Sequence, residues 1–227
     1  MCEGCAGLPR RGLLAAAATM LMAATSAEFP TPITGDDALR RLMEGNARYR
    51  ANKAHARDFS AGRAARVATH RPIAAVLSCS DARVGPEFLF DQGPGDLFVV
   101  RVAGNVLLDE GLASIEYAAQ FLGAPLVFVL GHSGCGAVEA AIKVVKDNAT
   151  LPGHLPGLID QLKPAVSAAQ SAQPANLLNA AIAENVRRTM QAVTNAQPVI
   201  APMVAGGKVT VAGGVYDIAT GTVNQIH

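Results

Sequence analysis

The sequence predicts an α/β fold, a central mostly parallel sheet flanked by helices, and two observations carry that expectation. Residues 73–77 (Ile-Ala-Ala-Val-Leu) and 125–130 (Pro-Leu-Val-Phe-Val-Leu) are short apolar runs, each followed by a helix-like pattern. Such runs read as buried parallel strands. Each also ends in soft metal ligands: Cys79-Ser80-Asp81-Ala82-Arg83 after the first and Gly131-His132-Ser133-Gly134-Cys135 after the second. Open α/β sheets place their chemistry at the carboxyl ends of such strands.

The elements follow in order. Thr34-Gly35-Asp36-Asp37 caps a helix over residues 38–49, with Leu39, Leu42, Met43 and Ala47 as its apolar stripe. Residues 50–70 are polar, rich in Arg and His, and read as a loop or short helix. Pro86 opens a short helix over 86–90, as proline does at a first helical turn. A turn at 93–96 leads to a third buried strand at 97–101. Ala113, Ile115, Tyr117, Ala118, Phe121 and Leu122 give a helix an apolar face that ends at Gly123. Residues 137–145 are helical, with Pro152, Gly153, Pro156 and Gly157 breaking the pattern. Two further helical patterns cover 158–170 and 176–195, and the chain ends as strand, bend and strand over 208–217 and 221–223.

The chain has 227 residues, half of them hydrophobic, enough for one sizeable core over residues 28–227. A formal charge of +1, without a basic stripe interleaved with aromatics, argues against a nucleic-acid surface. Residues 1–27 read as a cleavable export signal. Arg10-Arg11 precedes an Ala-rich apolar stretch over 12–24, and Thr25-Ser26-Ala27 supplies small residues for cleavage. The stretch is too short for a comfortable membrane span. Paired arginines resemble a twin-arginine signal, with general secretion as the alternative, and both imply a periplasmic or secreted protein. Cys2-Glu3-Gly4-Cys5 precedes the cleavage point and is assigned no role in the mature chain. Cys79 and Cys135 are then its two thiols.

Cys79, Asp81, His132 and Cys135 together offer two thiolates, a carboxylate and an imidazole, a Zn2+ set by type and number. Taken singly, each cysteine is better explained as a small core residue and His132 as a buried, satisfied histidine. Their clustering at two strand ends, beside Gly131, Gly134 and Gly136, is harder to obtain from packing alone.

The motifs C-S-D-A-R-V, P-E-F-L-F-D-Q-G-P-G-D-L-F-V-V-R-V-A-G-N, S-I-E-Y-A and P-L-V-F-V-L-G-H-S-G-C-G-A-V closely resemble the β-class carbonic anhydrases. The resemblance runs from about Asp36 to the terminal hairpin. It implies a three-layer α/β fold, reversible hydration of CO2 to bicarbonate at a zinc ion, and assembly as a homodimer or homotetramer. It also implies that Cys79, His132 and Cys135 are permanent zinc ligands, and that Asp81 is either a fourth ligand or is drawn off the metal by Arg83. Phe98 and Tyr117 match positions lining the CO2 pocket, often across a dimer interface, although both read equally well as core aromatics. Gly136 lies where backbone approaches substrate. His70 stands where many members carry a Gln that hydrogen-bonds bicarbonate. Two alternatives stay open at this level: a catalytically idle zinc-stabilised domain closed by Asp81, and a hydrolase of CS2 or COS on the same scaffold.

Overall fold

The computed structural model describes residues 33–226; residues 1–27, expected as an export signal, and the Cys2/Cys5 pair within them lie outside that range. Strands β1 (Ala74–Ser78), β2 (Leu97–Arg101), β3 (Leu126–His132) and β4 (Thr210–Asp217) run parallel, and β5 (Thr222–Ile226) returns antiparallel to β4. Their spatial order is β2-β1-β3-β4-β5. The chain steps from β1 outward to β2, then crosses back over β1 to β3. That reversal makes the boundary between β1 and β3 the topological switch point, where a crevice opens at the carboxyl ends.

Alternation along β1 and β3 builds the layers. Ala74, Val76, Leu126, Phe128 and Leu130 point to one face and pack with Ala38 and Leu42 of α1 (Gly35–Arg50) and with Leu89 and Phe90 around α3 (Pro86–Leu89). Ala75, Leu77 and Val127 point to the other. There they meet Ile115 and Ala118 of α4 (Asp109–Gln120), Val193 of α8 (Leu177–Thr194) and Ile200 of α9 (Ile200–Ala205). Every residue of β1 and β3 is buried, the mark of strands covered on both sides. A third cluster joins the carboxyl ends of the strands to α5 (Gly136–Asp147), α6 (Leu155–Asp160) and α7 (Lys163–Ser171). The arrangement is the expected three-layer α/β fold.

Several local expectations need correction. The contact face of α1 is rotated from the apolar stripe: Ala38, Leu42, Gly45 and Asn46 are buried, whereas Ala47 is exposed. A Cβ on Gly45 would lie 1.7 Å from Phe90 O, so the missing side chain lets α1 sit directly on the backbone after α3. Asn46 donates to Leu89 O and Gly221 O and accepts from Val223 N, tying α1 to the terminal hairpin. Pro156 and Gly157 do not break the chain but lie in the first turn of α6, where proline needs no N–H partner. The pattern over 158–170 is accordingly split between α6 and α7, and α9 had no periodic signal. Strand β2 is only half-buried, because its outer edge has no strand partner among the described residues. On α4, Tyr117 and Phe121 are 49% and 75% exposed, so part of the apolar face points away from the core.

The segment after α1, which contains the short exposed helix α2 (Arg63–Ala68), is tied down by Asp91. The Asp91 side chain is fully buried and receives Arg48 Nε at 2.6 Å, the Arg57 guanidinium and the His55 N–H. Burial pushes its pKa up, but the hydrogen bonds from Arg48 and Arg57 outweigh this and hold it at about 2. A depressed folded-state pKa stabilises above the unfolded value of about 3.9 and loses that stabilisation as pH falls toward the folded one. We therefore expect stability to drop by roughly 2 kcal/mol between pH 4 and 2 from this group. Acid titration of the melting temperature checks this, with Asp91→Asn expected to flatten the drop; an unchanged slope in that variant would remove Asp91 as its source.

Candidate metal centre

Cys79 follows β1, His132 is the last residue of β3, and Cys135 caps the start of α5, so all three converge on the switch point. All are buried, and their ligand atoms lie within 4.8 Å of one another. The turn between β3 and α5 is fixed by Ser133. Its N–H donates to Tyr216 O at 2.8 Å and its Oγ accepts from Ile218 N at 3.0 Å. Gly134 completes the turn at φ 63°. Gly131 keeps α8 close to the sheet, since a Cβ there would meet Val186 at 2.7 Å.

The donor set fits a cation. His132 is completely buried, its Nδ1 sits 3.0 Å from Ser133 O, and its Nε2 has no hydrogen-bond partner. A buried polar atom is rarely left so, and this one faces two sulfurs. His132 Nδ1 as donor to a carbonyl leaves Nε2 with a lone pair for a metal. A hydrogen bond from Cys135 draws the Cys79 thiol down to about 4, while the same bond and burial push Cys135 up. Backbone N–H groups at the start of α5 act on Cys135 in the opposite direction and favour its thiolate.

Asp81 stands at the rim. Arg83 grips it three times: Nε to Oδ1 at 2.9 Å, Nη2 to Oδ2 at 2.7 Å, and backbone N to Oδ1 at 2.9 Å. The Arg83 hydrogen bonds hold the carboxyl well below the usual carboxylate range. Oδ2 remains 3.9 Å from His132 Nε2. The carboxylate is therefore engaged by Arg83 while staying next to the donor cluster.

Of the other expected site residues, Gly136 lies at the cluster, whereas His70, Phe98 and Tyr117 are not brought to it within one chain. His70 is exposed and follows α2, ahead of β1, whereas Cys79 lies beyond the far end of that strand. Five residues of strand separate those ends by about 16 Å. Phe98 and Tyr117 contact each other, with ring centroids 6.3 Å apart, and Phe121 extends the run at 5.4 Å from Tyr117. Gly136 is exposed beside Cys135, and a Cβ there would meet nothing within 4 Å, so backbone is open to an approaching small molecule.

Sequence reasoning missed Arg101, Gly104 and Asn185. Arg101 ends β2 and donates to Cys79 O at 3.0 Å and Asp81 O at 2.7 Å, clamping the loop that carries both side chains. Gly104 N–H donates to Cys79 Sγ at 3.2 Å. The run Arg101-Val102-Ala103-Gly104-Asn105 directly after a strand was the available signal for the first two; Asn185 had none.

The carbonic anhydrase family model matches residues 74–223. Carbonic anhydrase from Mycolicibacterium smegmatis is 35% identical over 187 residues, covering 82% of this chain and 90% of that protein. Carbonic anhydrase 2 from Mycobacterium tuberculosis is 34% identical over 81% of this chain and 89% of its own length. Among solved structures, the β-carbonic anhydrase CcaA superposes with a TM-score of 0.66 at 26% identity, over 82% of this chain and 94% of that one. A Coccomyxa β-carbonic anhydrase in complex with acetazolamide gives 0.61 at 26% identity, over 82% and 85%. With the family model spanning the sheet from β1 to β5 and long relatives agreeing in sequence and fold, the chain belongs to the β-class carbonic anhydrases.

Proposed function

We propose that this chain hydrates CO2 reversibly to bicarbonate at a Zn2+ ion held by Cys79 Sγ, His132 Nε2 and Cys135 Sγ. The observation that carries the metal reading is the buried, unpartnered His132 Nε2 facing two thiol sulfurs. Thiolate and imidazole donors are a zinc set, and three protein ligands are the catalytic number. When bound, zinc supplies a Lewis acid that makes water a usable nucleophile near neutral pH.

The protein's own groups do the rest. Asp81, held by Arg83, stays ionised throughout the physiological range, so it acts as a fixed acceptor that orients a donor O–H rather than as a proton store. By engaging both oxygens of Asp81, Arg83 would keep the carboxylate off a bound metal. Arg101 holds the backbone of that loop, and Gly136 leaves space for the substrate. The engaged Asp81–Arg83 pair supports the active reading over the idle zinc domain, and the relatives named above are carbonic anhydrases. Stopped-flow CO2 hydration by the zinc-loaded mature chain tests this reading; absence of turnover with stoichiometric zinc would return the chain to the idle class.

His70, Phe98 and Tyr117 we assign to the site of a second copy, since the exposed aromatic run lies along the half-buried side of the open β2 edge. Sedimentation velocity reads this assembly directly, and a monomer at micromolar concentration would count against it. For localisation we propose export directed by Arg10-Arg11. Fractionation of cells expressing an Arg10→Lys, Arg11→Lys chain tests it, with active precursor expected in the cytoplasm and unchanged delivery pointing to general secretion.

A further inference from the structure

Gly104 is the residue through which the protein reaches the Cys79 sulfur, and it is held from both sides. Its N–H donates to Cys79 Sγ at 3.2 Å, and its carbonyl accepts from Asn185 Nδ2 at 2.9 Å. These groups belong to the two different peptide planes flanking one Cα. Gly104 has φ 71°, the left-handed region, and a Cβ there would lie 2.9 Å from Leu162 and 3.2 Å from Ala137. Glycine is therefore required, yet a left-handed glycine is also where a peptide plane turns most freely. Something must fix it if the N–H is to stay on the sulfur.

Asn185 is placed to do so. It lies on the buried face of α8 with Ala181, Ile182 and Val186, and is 5% exposed. Packing alone would favour an apolar side chain there, because a buried carboxamide is tolerated only when hydrogen-bonded. The partner it has is Gly104 O, 81 residues away in sequence.

We propose that Asn185 is a positioning residue for the metal centre. By holding the Gly104 carbonyl it keeps the Gly104 N–H aimed at Cys79 Sγ, and so sets how strongly that thiolate donates to the cation. This rests on the zinc reading above. An N–H directed at a ligating sulfur draws charge from it, and loss of such outer partners typically lowers metal affinity about 10- to 100-fold.

The test uses the whole mature chain loaded with 113Cd or with zinc. In wild type, the Gly104 amide proton should show scalar coupling to 113Cd through the sulfur, and Asn185→Leu, which preserves volume, should lose it. Zinc transfer from that variant to a chelator should accelerate about tenfold. Thr189→Val is the control: Thr189 is buried one turn further along the same helix face, without a bond to Gly104, and should leave coupling and transfer rate unchanged. If Asn185→Leu does not fold, the wild-type coupling still decides whether Gly104 N–H engages the sulfur, and Asn185→Asp, close in shape but lacking the donor, replaces it in the comparison. Wild-type coupling that survives in the variants, its absence in wild type, or equal changes in Thr189→Val would each overturn the proposal. A wild type that takes up neither metal would instead defeat the zinc reading itself.

Discussion

Cys79→Ser, His132→Ala and Cys135→Ser are each expected to reduce zinc from stoichiometric to trace and to abolish CO2 hydration. The three ligand atoms lie within 4.8 Å of one another on two segments of the chain, and none has a neighbour that could substitute for it at the same point. Asp81 is the nearest remaining donor, but both its oxygens are committed to Arg83. Zinc sites with thiolate ligands bind with roughly 10–16 kcal/mol, so losing one of three protein donors weakens binding by several orders of magnitude. His132→Ala should also leave a void beneath the cluster, because the ring is fully buried. Metal analysis after gel filtration, paired with stopped-flow rates, checks the expectation. Retained stoichiometric zinc with normal turnover in any of the three would remove that residue from the ligand set.

Arg83→Ala is expected to keep zinc and lose catalysis, by on the order of 100-fold or more, the scale on which removal of a single positioned charge partner acts. The reason is geometric. Arg83 supplies three hydrogen bonds to Asp81, of which the side chain makes two, and Asp81 Oδ2 is already 3.9 Å from His132 Nε2. Without the guanidinium, the remaining backbone bond to Oδ1 leaves Oδ2 free to swing a short distance into the cluster. A carboxylate two residues from Cys79 would then be free to bind a metal held by the cluster and to keep substrate water from it. Arg83→Lys should fall between the two, since an ammonium attracts the carboxylate but does not offer a planar fork. A wild-type rate for Arg83→Ala at every pH from 6 to 9 would show that Asp81 is held off the metal by something else. Loss of zinc in that variant would recast Arg83 as structural.

Both predictions depend on residues that stand out in the sequence alone, and the reason is local chemistry. Cysteine, histidine and aspartate at the ends of two apolar runs are rare enough together to mark a site, and β1 and β3 are buried on both faces, so their strands announce themselves by continuous hydrophobicity. The capped start of α1 was equally legible: Thr34 accepts from Asp37 N within four residues.

What only the tertiary structure decided involves partners distant along the chain. Asn46 looks like a surface residue until Leu89, Gly221 and Val223 are seen around it. Asp91 looks like a turn residue until Arg48 and Arg57 close over it. Half of the apolar pattern on α4 turned outward because periodicity reports which residues share a helix face, and not whether the fold covers that face. The sequence by itself determined the parallel strands, the residue types of the metal centre and their order. The fold alone decided that β1 and β3 lie side by side at the switch point, that Arg83 holds Asp81 beside the cluster, and that Gly104 and Asn185 stand behind Cys79. Hydrogen bonds between groups tens of residues apart follow from backbone geometry, which no local pattern encodes.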